Sequence, residues 1–233
     1  GHGDDARLAG EVLPDPSGRL EAVHLGHLHV HQDDVVGVAA DGLEGLDAVV
    51  HLAGEGIASR PWSDAQQRRI VESREAGTTL LAGAIAGLAR PPAVLVSGSA
   101  IGVYGDRGDE VLTESSPTGD DFLADVCHRW EGATAAAEAA GIRTVHLRTG
   151  IVLDAHGGAL GKQLPAFKLG LGAKAGRGTQ WFSWISLHDE VAAIRHLLTA
   201  EGVQGPVNLT APNPVTNAEF TDALGRVLGR PTF

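Results

Sequence analysis

The chain has 233 residues, a formal net charge of −11 and 43% apolar residues. A chain of this length can bury a core as one large domain, or as a domain with a small lobe. The acidic balance argues against nucleic acid or an anionic membrane as a partner, because either would need a basic surface. No apolar run reaches the length of a membrane-spanning helix and no stretch resembles a signal peptide. With Cys127 as the single cysteine, we expect a cytoplasmic protein without disulfides.

Residues 1–45 are the irregular part of the sequence. They are rich in Gly, Asp and His, and only Leu20–Val30 has a strand-like pattern. Three histidines alternate and would share one face of a strand, where imidazoles can bind zinc: His27, His29 and His31. Nothing nearby would order such a site, so we expect no metal. Because the chain has no methionine, we interpret it as a fragment of a longer protein.

A regular alternation of strands and helices begins at residue 46. Short apolar runs predict buried parallel strands over 47–54, 93–97 and 144–148. Helical spacing predicts helices over 63–88 and 120–140 between them, and further helices near Leu187 and Thr216. This order predicts an α/β fold, a Rossmann-like doubly wound parallel sheet with a small C-terminal substrate lobe. We expect the nucleotide-binding domain over 46–150 and the lobe, with elements returning to the sheet, over 151–233.

Three loops in this arrangement stand where ligands bind. In open parallel sheets the ligand crevice lies beyond the carboxyl ends of the strands. The loops carry small residues directly after the predicted strands: Leu52-Ala53-Gly54-Glu55, Ser97-Gly98-Ser99 and Arg148-Thr149-Gly150. Small residues also end strands for purely structural reasons. Their recurrence at three successive strand ends favours a ligand crevice.

These loops also carry a family resemblance. The segments 50–54, 96–105, 113–114 and 147–150 resemble the extended short-chain dehydrogenase/reductase superfamily. Further marks resemble an atypical NAD-dependent epimerase/dehydratase-like subfamily: Glu55, Ser73-Arg74, Trp130-Glu131, the loop ending at Lys162, and Trp184-Ile185-Ser186. The resemblance implies NADP or NAD as cofactor, with NADP slightly preferred, and a small-molecule substrate.

Two departures from the superfamily pattern affect function. The glycine-rich turn that would hold the cofactor pyrophosphate at a helix N-terminus is not found, since neither 1–3 nor 42–45 follows a strand and precedes a helix. Its loss predicts weak cofactor binding by residues 1–233, in the millimolar range or worse. The catalytic Tyr-x-x-x-Lys pair is also missing, because Phe122 and Val126 stand in its place.

The candidate site residues fall into three groups. The candidate catalytic residues are Ser99 and Tyr104. The candidate cofactor-binding residues are Leu52, Ala53, Gly54, Glu55, Arg74, Ser97, Gly98, Arg148, Thr149 and Gly150. The candidate substrate-binding residues are Lys162, Lys168 and Trp184. The structural alternatives are a serine that completes a strand end, a surface arginine and a solvated lysine face.

Three functional hypotheses remain open. The first is an NAD(P)-binding epimerase or oxidoreductase of unknown substrate, which the ordered loops favour. The second is a non-catalytic nucleotide-binding regulator or interaction protein, which the missing Tyr–Lys pair favours. The third is an inactive fragment. If the first strand of the family's sheet is missing, an unpaired edge exposes strand hydrogen-bonding groups, which predicts aggregation or a homodimer unless Leu20–Val30 fills the place.

Overall fold

A computed structural model of the protein describes residues 45–57 and 60–233. The three alternating histidines and the predicted strand over 20–30 lie outside the described residues. The strands are β1 (Ala48–His51), β2 (Val94–Ala100), β3 (Arg143–Thr149), β4 (Ile151–Asp154), β5 (Trp181–Phe182), β6 (Trp184–Ser186), β7 (Gly205–Leu209) and β8 (Val215–Thr216). The helices are α1 (Asp64–Ala86), α2 (Phe122–Gly132), α3 (Ala135–Ala139), α4 (Gly158–Lys168), α5 (Leu187–Thr199) and α6 (Asn217–Leu228).

The central sheet is parallel, with the strand order β1-β2-β3-β7. β2 and β3 lie inside it and are almost wholly buried, which explains their continuous apolar runs. The predicted strands over 93–97 and 144–148 are therefore confirmed, and each extends further along the chain. The four-residue β1 is shorter than the predicted 47–54, because the chain leaves the ladder after His51.

Helices cover both faces of this sheet, as the predicted doubly wound fold requires. On one face, Leu95 packs with Leu81 and Ile85 of α1 and with Ala137 of α3. On the other face, Leu147 packs with Leu197 of α5. Side chains of successive strand residues point to opposite faces, so a buried strand contributes side chains to the apolar cores on both faces of the sheet.

Helix boundaries follow local capping chemistry. Ser63 caps α1 by accepting from the Gln66 backbone N–H, and Thr216 forms the predicted capping box with Glu219. The predicted single helix over 120–140 is wrong, since the structure has α2 and α3 with a break between them. At the break, the Thr134 hydroxyl donates to the Glu131 carbonyl oxygen at 2.7 Å, a local bond that competes with helix continuation.

The remaining elements follow β3 in the chain. β4 pairs with β6 in parallel and β5 pairs with β8 antiparallel, in two small sheets beside α4 and α6. The glycine-rich stretch over 157–178 contains the helix α4, which periodicity did not predict. The proposed boundary at residue 150 remains a prediction. Within the described residues, no helix is long and apolar enough to cross a membrane.

Candidate ligand crevice

The loop after β1 is fixed by three contacts with α1, all made to Glu55. Its backbone N–H donates to the Ser73 hydroxyl at 2.9 Å. Its carboxylate accepts from the Gln66 amide at 3.0 Å, and its carbonyl oxygen accepts from the Arg74 guanidinium at 2.9 Å. The subfamily marks Glu55 and Ser73-Arg74 are therefore one structural unit. It holds Leu52, which is 49% exposed, at the carboxyl end of β1.

Arg74 connects this loop to the helix α2. Its guanidinium carbon lies 4.8 Å from the centroid of the Trp130 ring, a cation–π contact. Burial lowers the pKa of Arg74. The Trp130 ring in turn covers Gly98, where an added Cβ would lie 2.5 Å from Cζ2 of the indole. Glycine at position 98 is thus required by the indole, whereas the sequence alone had suggested the approach of a ligand.

Glu131 is the centre of a buried polar network at the ends of β2 and β3. The Ser99 hydroxyl donates to Glu131 Oε1 at 2.7 Å. Arg148 donates to both carboxylate oxygens, through Nε at 2.9 Å and Nη2 at 3.0 Å. Burial acts to raise the pKa of Glu131, but hydrogen bonds from Arg148 and Ser99 outweigh it and lower the pKa. The carboxylate is therefore charged at neutral pH.

Tyr104 extends the network to β7. Its hydroxyl accepts from Arg148 Nη1 at 3.0 Å and donates to Asn208 Oδ1 at 2.6 Å. The Asn208 backbone N–H donates to Glu114 Oε1 at 2.9 Å, which ties in the predicted Thr113-Glu114 motif. Tyr104 is only 2% exposed, so its phenol serves internal contacts in this arrangement. Its catalytic role stays a prediction.

The third loop is shaped by the chain itself. A Cβ added at Gly150 would lie 2.6 Å from the Ser183 carbonyl oxygen, so close backbone packing requires that glycine. The Thr149 hydroxyl donates to Glu190 Oε1 at 2.9 Å. Burial raises the pKa of Glu190. Ser97 is fully buried, and its hydroxyl donates to the neighbouring Gly98 carbonyl oxygen at 3.4 Å.

The place of the superfamily's Tyr–Lys pair is apolar. Phe122 packs edge-on against Trp62, with ring centroids 5.4 Å apart, and Val126 packs with Ile70 and Val71. The substitution is accommodated by a continuous apolar contact between α1 and α2. The described structure therefore offers neither a phenol nor an ammonium group at these two positions.

None of the candidate substrate residues takes part in the hydrogen bonds described above. Lys162 and Lys168 are exposed residues of α4. Trp184 begins β6 and donates its indole N–H to the Asn213 carbonyl oxygen at 3.2 Å. Ser186, which precedes α5, caps it by accepting from the Asp189 backbone N–H.

Sequence reasoning did not assign a site role to Glu131, Trp130 or Asn208. The first two were noticed only as family marks, and Asn208 lies in a strand that was not predicted. The signal that could have indicated their role is the Trp130-Glu131 pair near the end of an amphipathic helix. The two neighbouring side chains make different contacts, Trp130 with Arg74 and Glu131 with Arg148. In the structure, the marks Glu55, Ser73-Arg74 and Trp130-Glu131 join the ends of β1, β2 and β3 in one connected set of contacts, which Tyr104 extends to β7. The marks at Lys162 and 184–186 are not part of it.

Comparison with known proteins agrees with this fold. Residues 14–209 match the NAD dependent epimerase/dehydratase family. The chain belongs to this family.

Curated relatives give the same result. An epimerase family protein of Mycobacterium tuberculosis is 47% identical over 190 residues, which cover 82% of this chain and 62% of the relative. The human epimerase family protein SDR39U1 is 40% identical over 199 residues, covering 84% of this chain and 68% of the human protein. The chain thus spans about three fifths of the length of its mycobacterial relative.

Two solved structures are similar over most of the chain. A structure of human SDR39U1 (isoform 2) with NADPH has a TM-score of 0.79 at 39% identity, covering 83% of this chain and 66% of that chain. A nucleoside-diphosphate sugar epimerase from Corynebacterium glutamicum has a TM-score of 0.70 at 43% identity, covering 83% of this chain and 42% of that chain.

Proposed function

We propose that the protein binds NADP(H), with NAD(H) as the weaker alternative, in the crevice at the carboxyl ends of β1, β2 and β3. One observation carries the proposal: the family marks Glu55, Arg74 and Trp130-Glu131 are joined by contacts at these strand ends, where they form the floor of the candidate crevice. This is where open parallel sheets bind dinucleotides. The NADPH of the related human structure supports the choice of cofactor.

The described residues leave room for such a ligand at the first loop but not at two of the glycines. The first loop is fixed by its contacts with α1, and its Leu52 and the nearby Ile57 are exposed. The spaces at Gly98 and Gly150, in contrast, are filled by Trp130 and by the Ser183 backbone. We propose that the dinucleotide contacts the 52–55 loop and the 148–150 loop from above the floor.

The proposed reaction is hydride transfer to or from a small molecule. A bound nicotinamide would supply or accept the hydride, and the chain would orient the reacting group. Ser99 is the proposed contact, because its hydroxyl donates to Glu131 and its oxygen can also accept a hydrogen bond from a hydroxyl group of a substrate. Tyr104 is proposed to support this arrangement by holding Arg148.

Binding is tested first. A ¹⁵N-labelled sample of residues 1–233 is titrated with NADPH and NADH into the millimolar range and followed by amide NMR signals. We expect weak binding, with shifts concentrated at 52–55, 97–99 and 148–150. A dissociation constant in the micromolar range would contradict the expected weakness, and the absence of any shift would contradict the proposal.

A turnover measurement then distinguishes an enzyme from a non-catalytic regulator. The regulator is the alternative hypothesis, which the apolar residues Phe122 and Val126 favour. NADPH consumption is measured across carbonyl compounds and nucleotide sugars. For an enzyme, Ser99→Ala and Tyr104→Phe should each lower turnover by about 10²–10⁴-fold, with nearly unchanged NADPH affinity. A protein that binds NADPH, turns over nothing, and binds a partner only with NADPH would be the regulator.

A further inference from the structure

The indole N–H groups of the four tryptophans differ in one respect. Trp62 donates to the Ile57 carbonyl oxygen at 2.7 Å. Trp181 donates to Asp109 Oδ1 at 2.8 Å, and Trp184 donates to the Asn213 carbonyl oxygen at 3.2 Å. The Trp130 N–H is buried and has no acceptor among residues 45–57 and 60–233.

This missing partner is physically significant. Trp130 is only 7% exposed, so water does not readily reach its N–H to accept the hydrogen bond. A buried donor without an acceptor loses its hydrogen bond to water and gains nothing in return. Two other buried side-chain atoms lack a partner among the described residues, but both are oxygens of groups bonded elsewhere: Gln66 Oε1 and Glu190 Oε2.

The indole that carries the unpaired N–H lies beside the ends of β1 and β2. Its Cζ2 atom, which is bonded to the ring carbon next to Nε1, lies 2.5 Å from an added Cβ at Gly98. The carbonyl oxygen of His51, the last residue of β1, is 3.5 Å from the same point. The benzene edge of the indole therefore lies where the ends of β1 and β2 meet, and the N–H is on the adjoining side of the ring.

The orientation of this donor is fixed. Arg74 lies over the indole and is itself held by the carbonyl oxygens of Glu55 and Ile70, at 2.9 and 3.1 Å. Gly98 lies against the indole edge, so the ring is confined between a cation and a backbone. A donor that does not need to be reoriented loses little entropy when it forms a bond.

We infer that Trp130 is a ligand-binding residue, whose indole N–H donates a hydrogen bond to an oxygen of the dinucleotide bound in the crevice. The inference rests on the proposed function, and it assigns the contact to a side chain that the candidate cofactor residues did not include. A ribose hydroxyl, a carboxamide oxygen and a phosphate oxygen share the required acceptor chemistry.

The test uses the indole signals of ¹⁵N-labelled residues 1–233, assigned by single Trp→Phe substitutions. NADPH should move the Trp130 indole proton downfield and reduce the temperature dependence of its shift, as a new hydrogen bond requires. The Trp181 signal, far along the chain and already bonded to Asp109, should stay in place. ADP-ribose 2′-phosphate, which lacks the nicotinamide, shows which end of the dinucleotide supplies the acceptor.

A variant provides a second measurement. Trp130→Phe keeps an aromatic ring between Arg74 and Gly98 but removes the N–H. NADPH affinity should fall about 3- to 10-fold, the effect of one neutral hydrogen bond. Trp181→Phe, which removes a bonded indole at the surface, should leave the affinity unchanged. Unfolding curves of both variants report whether the fold is retained, and the spectrum of the unsubstituted protein does not depend on either.

The outcomes separate this inference from the function on which it rests. If NADPH shifts the amides of 52–55 and 148–150 while the Trp130 indole stays fixed, the Trp130 contact is wrong and the cofactor site stands. If NADPH shifts no signal at all, the proposed function fails and the inference fails with it. A Trp130 shift with NADPH together with weaker binding by Trp130→Phe supports both.

Discussion

The two ends of the central sheet are built on different principles. Towards the amino ends, β2 and β3 present Leu95, Val96 and Val145, all fully buried among apolar side chains. Towards the carboxyl ends, the same strands present Ser99 and Arg148, buried nearly as deeply but joined through Glu131. The amino end is stabilised by apolar packing, whereas the carboxyl end depends on the pairing of Ser99 and Arg148 with Glu131.

A polar row separates the two ends. His51, Ser97 and His146 stand side by side across β1, β2 and β3. Each imidazole has a threonine partner: His51 meets Thr78 at 3.0 Å and His146 meets Thr134 at 3.0 Å. Polar groups cost little inside a protein when they are paired and a great deal when they are not. Removing one partner of such a pair should therefore destabilise the fold.

The largest effect is expected at the ion pair. Glu131→Ala leaves Arg148 buried with its main partner removed, which should reduce the free energy of unfolding by about 3–5 kcal/mol. Urea denaturation measures it. The double variant Glu131→Leu/Arg148→Met removes both charges and should recover much of the loss. Equal destabilisation by the single and double variants would show that the charge left behind is unimportant.

The polar row predicts the next effect, which depends on pH. Burial lowers the pKa of His51 to about 4, and burial also lowers the pKa of His146. The unfolded chain binds these protons near pH 6.5, so it takes up protons before the folded protein does. Stability should therefore be complete above about pH 6.5 and fall as the pH drops towards 4, with His51 contributing roughly 3 kcal/mol.

The measurement is unfolding by urea at a series of pH values. His51→Gln should flatten the curve between about pH 4 and 6.5, because a glutamine does not titrate there. His188→Gln replaces an exposed histidine of α5 and serves as the control. An unchanged slope in His51→Gln would contradict the burial argument.

Hydroxyl deletions compare the two ends directly. Ser99→Ala removes a hydrogen bond to a charged carboxylate and should cost about 1.5–3 kcal/mol. Thr144→Val removes a buried hydroxyl near the amino end of β3, where it donates only to the nearby Ile142 carbonyl oxygen at 3.1 Å. Its loss should cost under about 1 kcal/mol, because the added methyl group is buried. Equal losses in thermal or urea unfolding would remove the proposed difference.

The sequence predicted the amino end of the central sheet better than the carboxyl end. The apolar runs of β2 and β3 are local, so they revealed buried strands without any knowledge of their neighbours. The network at the other end joins residues 32 positions apart for Ser99 and Glu131, and 104 apart for Tyr104 and Asn208. No periodicity encodes such contacts. β7, with Gly205 and Pro206, is too short and polar to appear as a strand, yet its backbone pairs with β3.

The loop motifs were located correctly at the strand ends, but their glycines were interpreted too narrowly. Gly98 and Gly150 looked like places where a ligand approaches the backbone. The structure shows an indole at the first and a carbonyl oxygen at the second. A sequence marks where a side chain must be absent, and it does not say which neighbour requires the absence.

The smallest expected effects compare two glycines, one at the polar end and one on a helix. Gly98→Ala places a Cβ 2.5 Å from the Trp130 ring, which cannot move freely because Arg74 lies over it. Overpacking of this kind should lower the free energy of unfolding by about 1–3 kcal/mol. Gly83→Ala, in α1, meets nothing within 4 Å, and should raise it by about 0.5–1 kcal/mol through helix propensity. Opposite signs in urea unfolding are the expected result. A neutral Gly98→Ala would mean that the indole can leave Gly98, and the fixed orientation of the Trp130 N–H would then have to be abandoned.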